Sequence, residues 1–94
     1  MASRGIGGPA EAMIKVVFFA SLREAVGSSE QHHNASSLRE LMAALQQSLP
    51  EEALSALNAE NVRVAVNQGL VEELDGVALK EGDEVAFLPP VTGG

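Results

Sequence analysis

The sequence predicts an α+β fold in which a mixed sheet of about five strands wraps its apolar face around one main helix. Three observations carry this reading. Residues 14–21 (IKVVFFAS) and 62–67 (VRVAVN) set apolar side chains on one face with the two-residue period of a strand. Between them, Ser37-Leu38-Arg39-Glu40 reads as a capping box that opens an apolar stripe at helical spacing. A third strand, EVAFL at Glu84–Leu88, follows closely spaced turn residues near the C-terminal end.

In the first strand, alternation puts Ile14, Val16, Phe18 and Ala20 toward the core. Lys15, Val17, Phe19 and Ser21 fall on the other face, which makes Phe19 a candidate exposed aromatic. Residues 22–26 suit a short helical turn closed by Gly27, whose missing Cβ permits the left-handed cap. Residues 28–34 (SSEQHHN) are polar enough for an edge strand or a loop.

From the capping box, Leu38, Leu41, Met42, Leu45 and Leu49 recur at helical spacing, so a helix runs over Leu38–Ser48 until Pro50 stops it. Glu51–Leu57 is rich enough in Ala and Leu for one further short helix. In the next strand Val62, Val64 and Val66 face inward, with Arg63, Ala65 and Asn67 outward. Asn67-Gln68-Gly69 is a turn signal that returns residues 70–72 antiparallel. Asp75-Gly76 and Glu81-Gly82-Asp83 are further turns. In the last strand Val85 and Phe87 point in, while Glu84, Ala86 and Leu88 point out.

The 94 residues suffice for one core and no more. Residues 1–12 lack periodicity and read as a flexible extension with Met13 as the natural start; residues 13–88 form the domain, and residues 89–94 form an extended tail. Hydrophobic residues at 46% and charged residues at 20% fit a packed globule. The net charge of −7 repels phosphate backbones and anionic lipid, so neither nucleic acid nor a membrane is an expected partner. The absence of cysteine removes disulfides, thiolate zinc sites and a cysteine nucleophile, and with no apolar leader stretch it points to a cytoplasmic protein. Three Phe with no Trp or Tyr leave little for an aromatic-lined ligand pocket.

Functional chemistry concentrates after the last strand, in Pro89-Pro90-Val91-Thr92-Gly93-Gly94. The prolines block a further ladder bond and hold the backbone extended, and the glycines carry no Cβ that would clash in a narrow channel. Six extended residues reach roughly 20 Å, enough to carry a carboxylate into a pocket on another protein.

IKVVFFASLRE at 14–24, VAVNQ at 64–68 and GDEVAFLPPVTGG at 82–94 together resemble the sulfur-carrier subunits of molybdopterin synthase, the MoaD type within the MoaD/ThiS ubiquitin-like β-grasp family. The resemblance spans residues 13–94 and is most specific in the C-terminal block. It implies that an adenylating enzyme of the MoeB type uses ATP to convert the Gly94 carboxylate into an acyl-adenylate, creating a leaving group. A sulfur donor protein then displaces AMP, and the resulting thiocarboxylate delivers sulfur to a pterin precursor in a large subunit of the MoaE type. Gly93 would thread the channel, with Pro89, Pro90, Val91 and Thr92 as the arm. No tightly bound cofactor or metal is implied for the carrier, which would be a non-catalytic subunit of a sulfurtransferase complex. Phe19, Leu70 and Leu88 match apolar positions of the family's partner face, and an exposed apolar cluster of this kind marks a protein partner. Outward acids such as Glu84 would rim that face. Arg23 matches a recurrent family arginine that pairs with a partner or with an internal carboxylate.

Other clusters read as solvated surface. His32 and His33 are adjacent, so a strand would send them to opposite faces. Glu51-Glu52 and Glu72-Glu73-Asp75 lack calcium-loop spacing. Competing functions are a sulfur carrier of the thiamine or cysteine pathways and a ubiquitin-like interaction module that is never activated. An independent enzyme is weakest, because no nucleophile, base and oxyanion donors can be assembled.

Overall fold

The computed structural model describes residues 12–89. The elements run β1 (Met13–Phe18), α1 (Ala20–Val26), β2 (Glu30–Asn34), α2 (Leu38–Ser48), α3 (Glu51–Leu57), β3 (Arg63–Val66), β4 (Gly69–Val71) and β5 (Glu84–Leu88). They form a five-stranded mixed sheet in the order β2-β1-β5-β3-β4. β1 and β5 pair in parallel at its centre, with antiparallel partners on either side. Joining the two chain ends in parallel requires a long crossover, and α2 supplies it by packing across one face of the sheet.

α2 starts where the capping box places it. The Ser37 hydroxyl accepts the Glu40 N–H at 3.1 Å. The Glu40 carboxylate reaches one residue further back than a standard box, accepting the backbone N–H and hydroxyl of Ser36 at 2.9 and 2.8 Å. Those bonds hold the Glu40 carboxyl below the usual carboxylate range. Leu38, Leu41 and Leu45 are fully buried against Ile14, Val16, Val85 and Phe87. The Phe18 and Phe87 rings stack at 5.6 Å between centroids, locking the two central strands together. Met42 packs half-buried at the margin of this core.

Four expectations need correction. β1 ends at Phe18, and Ala20 is exposed at the start of α1 with φ 50°, so it does not face the core. The helical turn is a full seven-residue helix, closed by Gly27 at φ 90° with its N–H on the Arg23 carbonyl. β3 begins at Arg63, leaving half-buried Val62 outside the ladder, and β4 spans Gly69–Val71, one residue earlier than the pattern suggested. Ala65 faces outward yet is buried, because in the ladder it lies beside Ala86 and Leu70 on the same face. Residues 28–34, open between strand and loop, contribute the edge strand β2.

Candidate functional site

β5 occupies the middle of the sheet, so the chain leaves it at Leu88–Pro89 with neighbours on both sides. The parallel register of Phe18 with Phe87 sets Phe19 beside Leu88, and the Phe19 N–H donates to the Phe87 carbonyl at 3.1 Å. On the opposite side Arg63 is the register partner of Leu88. Leu70 comes from β4 over Ala65. The result is a shallow groove of about 620 Å³ on the helix-free face, lined by Phe19, Leu70, Leu88, Pro89, Arg63 and Asn61. Phe19 is 45% exposed and Leu70 63%, both large for apolar side chains of a small domain.

Local geometry explains how Phe19 is held out. It is the N-cap residue of α1, with extended backbone and no side-chain capping bond. Ser, Thr, Asp or Asn would satisfy a helix amide there, and Phe cannot. The next residue, Ala20, sits in the left-handed region without being glycine, as Asn61 does on the far wall. The uncapped helix start at Phe19 and the left-handed backbone at Ala20 thus place two local costs in stability at the surface point that carries the exposed ring.

The structure brings Phe19, Leu70, Leu88 and Pro89 together. Arg23 lies one helical turn from Phe19, exposed, and forms no ion pair among the described residues. Pro90, Val91, Thr92, Gly93 and Gly94 lie outside the described residues. Glu84 starts β5 and lines a second, smaller depression on the same face, of about 370 Å³, together with Phe19, Leu70 and Leu88, so it rims the apolar surface; Lys15 lies 3.9 Å from it and also reaches Glu30 at 4.0 Å. Sequence reasoning placed Arg63 outward but missed its position at the groove, since register between distant strands leaves no local signal.

The other flagged clusters lie elsewhere. His32 is exposed beside Glu30 at 3.5 Å. His33 is half-buried with Nε2 2.8 Å from Gln31 Oε1, and burial, then the neighbouring His32, lowers its pKa. Asp75 pairs with Arg39, and that guanidinium holds its carboxyl below the usual range. Among the described residues no three His, Cys, Asp or Glu side chains converge as a metal site, and no helix is long and apolar enough to cross a membrane.

Comparisons with known proteins agree with this geometry. The chain is 47% identical over 87 residues to the molybdopterin synthase sulfur carrier subunit of Escherichia coli (strain K12), covering 87% of this chain and all of the relative. A protein–protein complex of subunits 1 and 2 of molybdopterin-converting factor from Helicobacter pylori matches with a TM-score of 0.68 and 33% identity over 87% of this chain and 99% of that one. The small archaeal modifier protein 1 from Methanosarcina acetivorans matches with a TM-score of 0.73 and 27% identity, covering 89% of this chain and 98% of that one. These neighbours share the ubiquitin-like β-grasp. Residues 16–94 match the ThiS family, a span from the core of β1 through both terminal glycines, and the chain belongs to that family.

Proposed function

We propose that the chain is a sulfur carrier of molybdopterin synthase, bearing sulfur as a thiocarboxylate on Gly94. The observation that carries this is the central position of β5, which brings the chain out at Pro89 beside an exposed apolar surface, with Gly93 and Gly94 four and five residues on. A small domain has little use for an apolar groove at the root of its tail unless a partner covers both. The names of the similar proteins, a sulfur carrier subunit and a two-subunit molybdopterin-converting complex, support the same reading.

Chemically, a carboxylate resists nucleophiles until an oxygen becomes a leaving group. An adenylating enzyme of the MoeB type supplies that by forming the Gly94 acyl-adenylate with release of pyrophosphate from ATP. Sulfur from a donor protein then displaces AMP. The carrier's own task is presentation: Phe19, Leu70 and Leu88 dock, Arg23 assists, Pro89, Pro90, Val91 and Thr92 form the arm, and Gly93 passes where a Cβ would clash. ATP belongs to the activating partner, and the carrier holds no cofactor of its own. The receiving partner is a large subunit of the MoaE type.

Intact-mass measurement tests this. Incubation with the cognate adenylating enzyme, ATP and a sulfur source should raise the mass by about 16 Da, the difference between oxygen and sulfur. An unchanged mass, where a control carrier is charged, would leave an inert ubiquitin-like module.

A further inference from the structure

Of the five Lys and Arg side chains among the described residues, Lys15 and Arg39 are held in ion pairs and Arg23, Arg63 and Lys80 are not; of these three only Arg63 lines the groove. Lys15 is engaged by Glu30 and Glu84, and Arg39 by Asp75. Arg63 is exposed at the wall of the groove, opposite Leu88 and near Pro89, and no carboxylate lies within 4.0 Å of it among the described residues. Glu72 is the acid nearest in register, but the β3–β4 ladder stops at Val64–Val71 and the two form no ion pair. Arg23, one turn beyond Phe19, is likewise unpaired among these residues. The groove wall beside Leu88 and Pro89 therefore carries a guanidinium, Arg63, with no ion pair among the described residues, on a protein whose net charge is −7.

We infer that Arg63 is a partner-selecting residue, meeting a carboxylate on the lip of the protein surface that receives the tail. This rests on the proposed docking of the Phe19–Leu70–Leu88 face. Arginine suits the role because its planar fork binds a carboxylate through two parallel hydrogen bonds, and apolar contact around it excludes the water that would screen the pair. Lying beside Leu88, Arg63 would be covered as the apolar face closes. The rim at the tail exit thus attracts acid, the opposite of what Glu84 alone would suggest.

The test measures affinity of the full-length carrier for its cognate large subunit. Arg63→Glu should weaken binding by about tenfold or more, and Arg63→Gln by less. Arg39→Glu changes net charge equally at a site away from the groove and should stay within about twofold of wild type. Raising salt should narrow the gap between wild type and Arg63→Glu. Equal affinities for Arg63→Glu and Arg39→Glu would overturn the inference. A chain whose Gly94 carboxyl is converted to the primary amide, which removes the terminal charge and leaves the length unchanged, asks whether Arg63 instead holds its own terminal carboxylate. The Arg63→Glu penalty should persist in that background, and its disappearance would also overturn the inference. Phe19→Lys separates the two levels: if it abolishes binding while Arg63→Glu has no effect, docking stands and the role of Arg63 falls. If Phe19→Lys binds like wild type, the docking reading itself fails and takes the inference with it.

Discussion

Asn67 and Asp83 are joined across the sheet: the Asn67 side-chain amide donates to Asp83 Oδ1 at 3.1 Å. The same Asn67 side chain accepts the Glu84 N–H at 3.0 Å, and Asp83 Oδ2 accepts the Lys80 N–H at 2.9 Å. One buried carboxylate and one amide thereby fasten the β3–β4 turn to the start of β5, the strand that leads into the tail. The Lys80 amide, then the Asn67 amide, holds the Asp83 carboxyl below the usual carboxylate range.

A depressed folded-state pKa gives stability that is present above the unfolded value, near 3.9, and lost as pH falls through the folded value. Asp83→Asn should therefore cost about 1–3 kcal/mol at neutral pH, the scale of hydrogen bonds to a charged group. It should also flatten the loss of stability below about pH 4. Urea melts of both proteins at pH 7 and pH 3 check this; parallel pH profiles would place the effect elsewhere.

The turn itself carries strain that can be relieved. Asn67 and Gln68 both have positive φ, at 50° and 75°, the geometry of a two-residue turn that matches strand twist. Asn tolerates this conformation and Gln does not. Gln68→Gly should raise stability by up to about 1 kcal/mol, read as a higher midpoint in the same melts.

These two residues also show where sequence reading stops. Asn67-Gln68-Gly69 announced a turn, because turn chemistry is local. That Asn67 would grip Asp83, sixteen residues on, depends on the β3–β5 register and leaves no local trace. α2 was legible from its capping box and leucine stripe, and the inward set of β5 from alternation. The end of β1 was not: IKVVFFAS alternates smoothly past Phe18, and only the left-handed Ala20, which a pattern cannot reveal, breaks the strand and starts α1. The apolar groove was half legible. Alternation turns Phe19, Leu88 and Arg63 outward and the family resemblance adds Leu70, whereas only the pairing of β3 with β5 and β4 sets Arg63 and Leu70 at one groove.

Phe18 and Phe19 are adjacent and should respond oppositely. Phe18 is 2% exposed and stacked on Phe87, so Phe18→Ala should cost about 3–5 kcal/mol. Phe19→Ser removes a half-exposed ring but supplies the missing N-cap, worth about 1 kcal/mol. Its midpoint should stay close to wild type while affinity for the large subunit drops. Calorimetry beside a binding titration separates the two; a Phe19→Ser protein as unstable as Phe18→Ala would make Phe19 part of the core.

Editing the C-terminus should separate activity from stability most sharply. The core closes with Val85 and Phe87, both fully buried, and the ladder ends with Leu88 opposite Arg63. Residues past Pro89 are therefore not needed to complete the sheet, and removing Gly94 should leave the thermal midpoint within about 1 °C, as trimming beyond the last packed strand does. The same deletion ends the chain at Gly93, shortening the arm by about 3.3 Å and withdrawing the carboxylate from any site built for its full reach. Adding one alanine after Gly94 moves the carboxylate outward by a similar distance and puts a Cβ where Gly94 has none. Both variants should lose the 16 Da mass gain expected of the wild type on charging, and both should still bind the large subunit through the Phe19 face. If either variant is charged as fast as wild type, the position of the Gly94 carboxylate is not what the activating enzyme reads. A fall of many degrees in the midpoint would instead mean that the tail packs on its own domain.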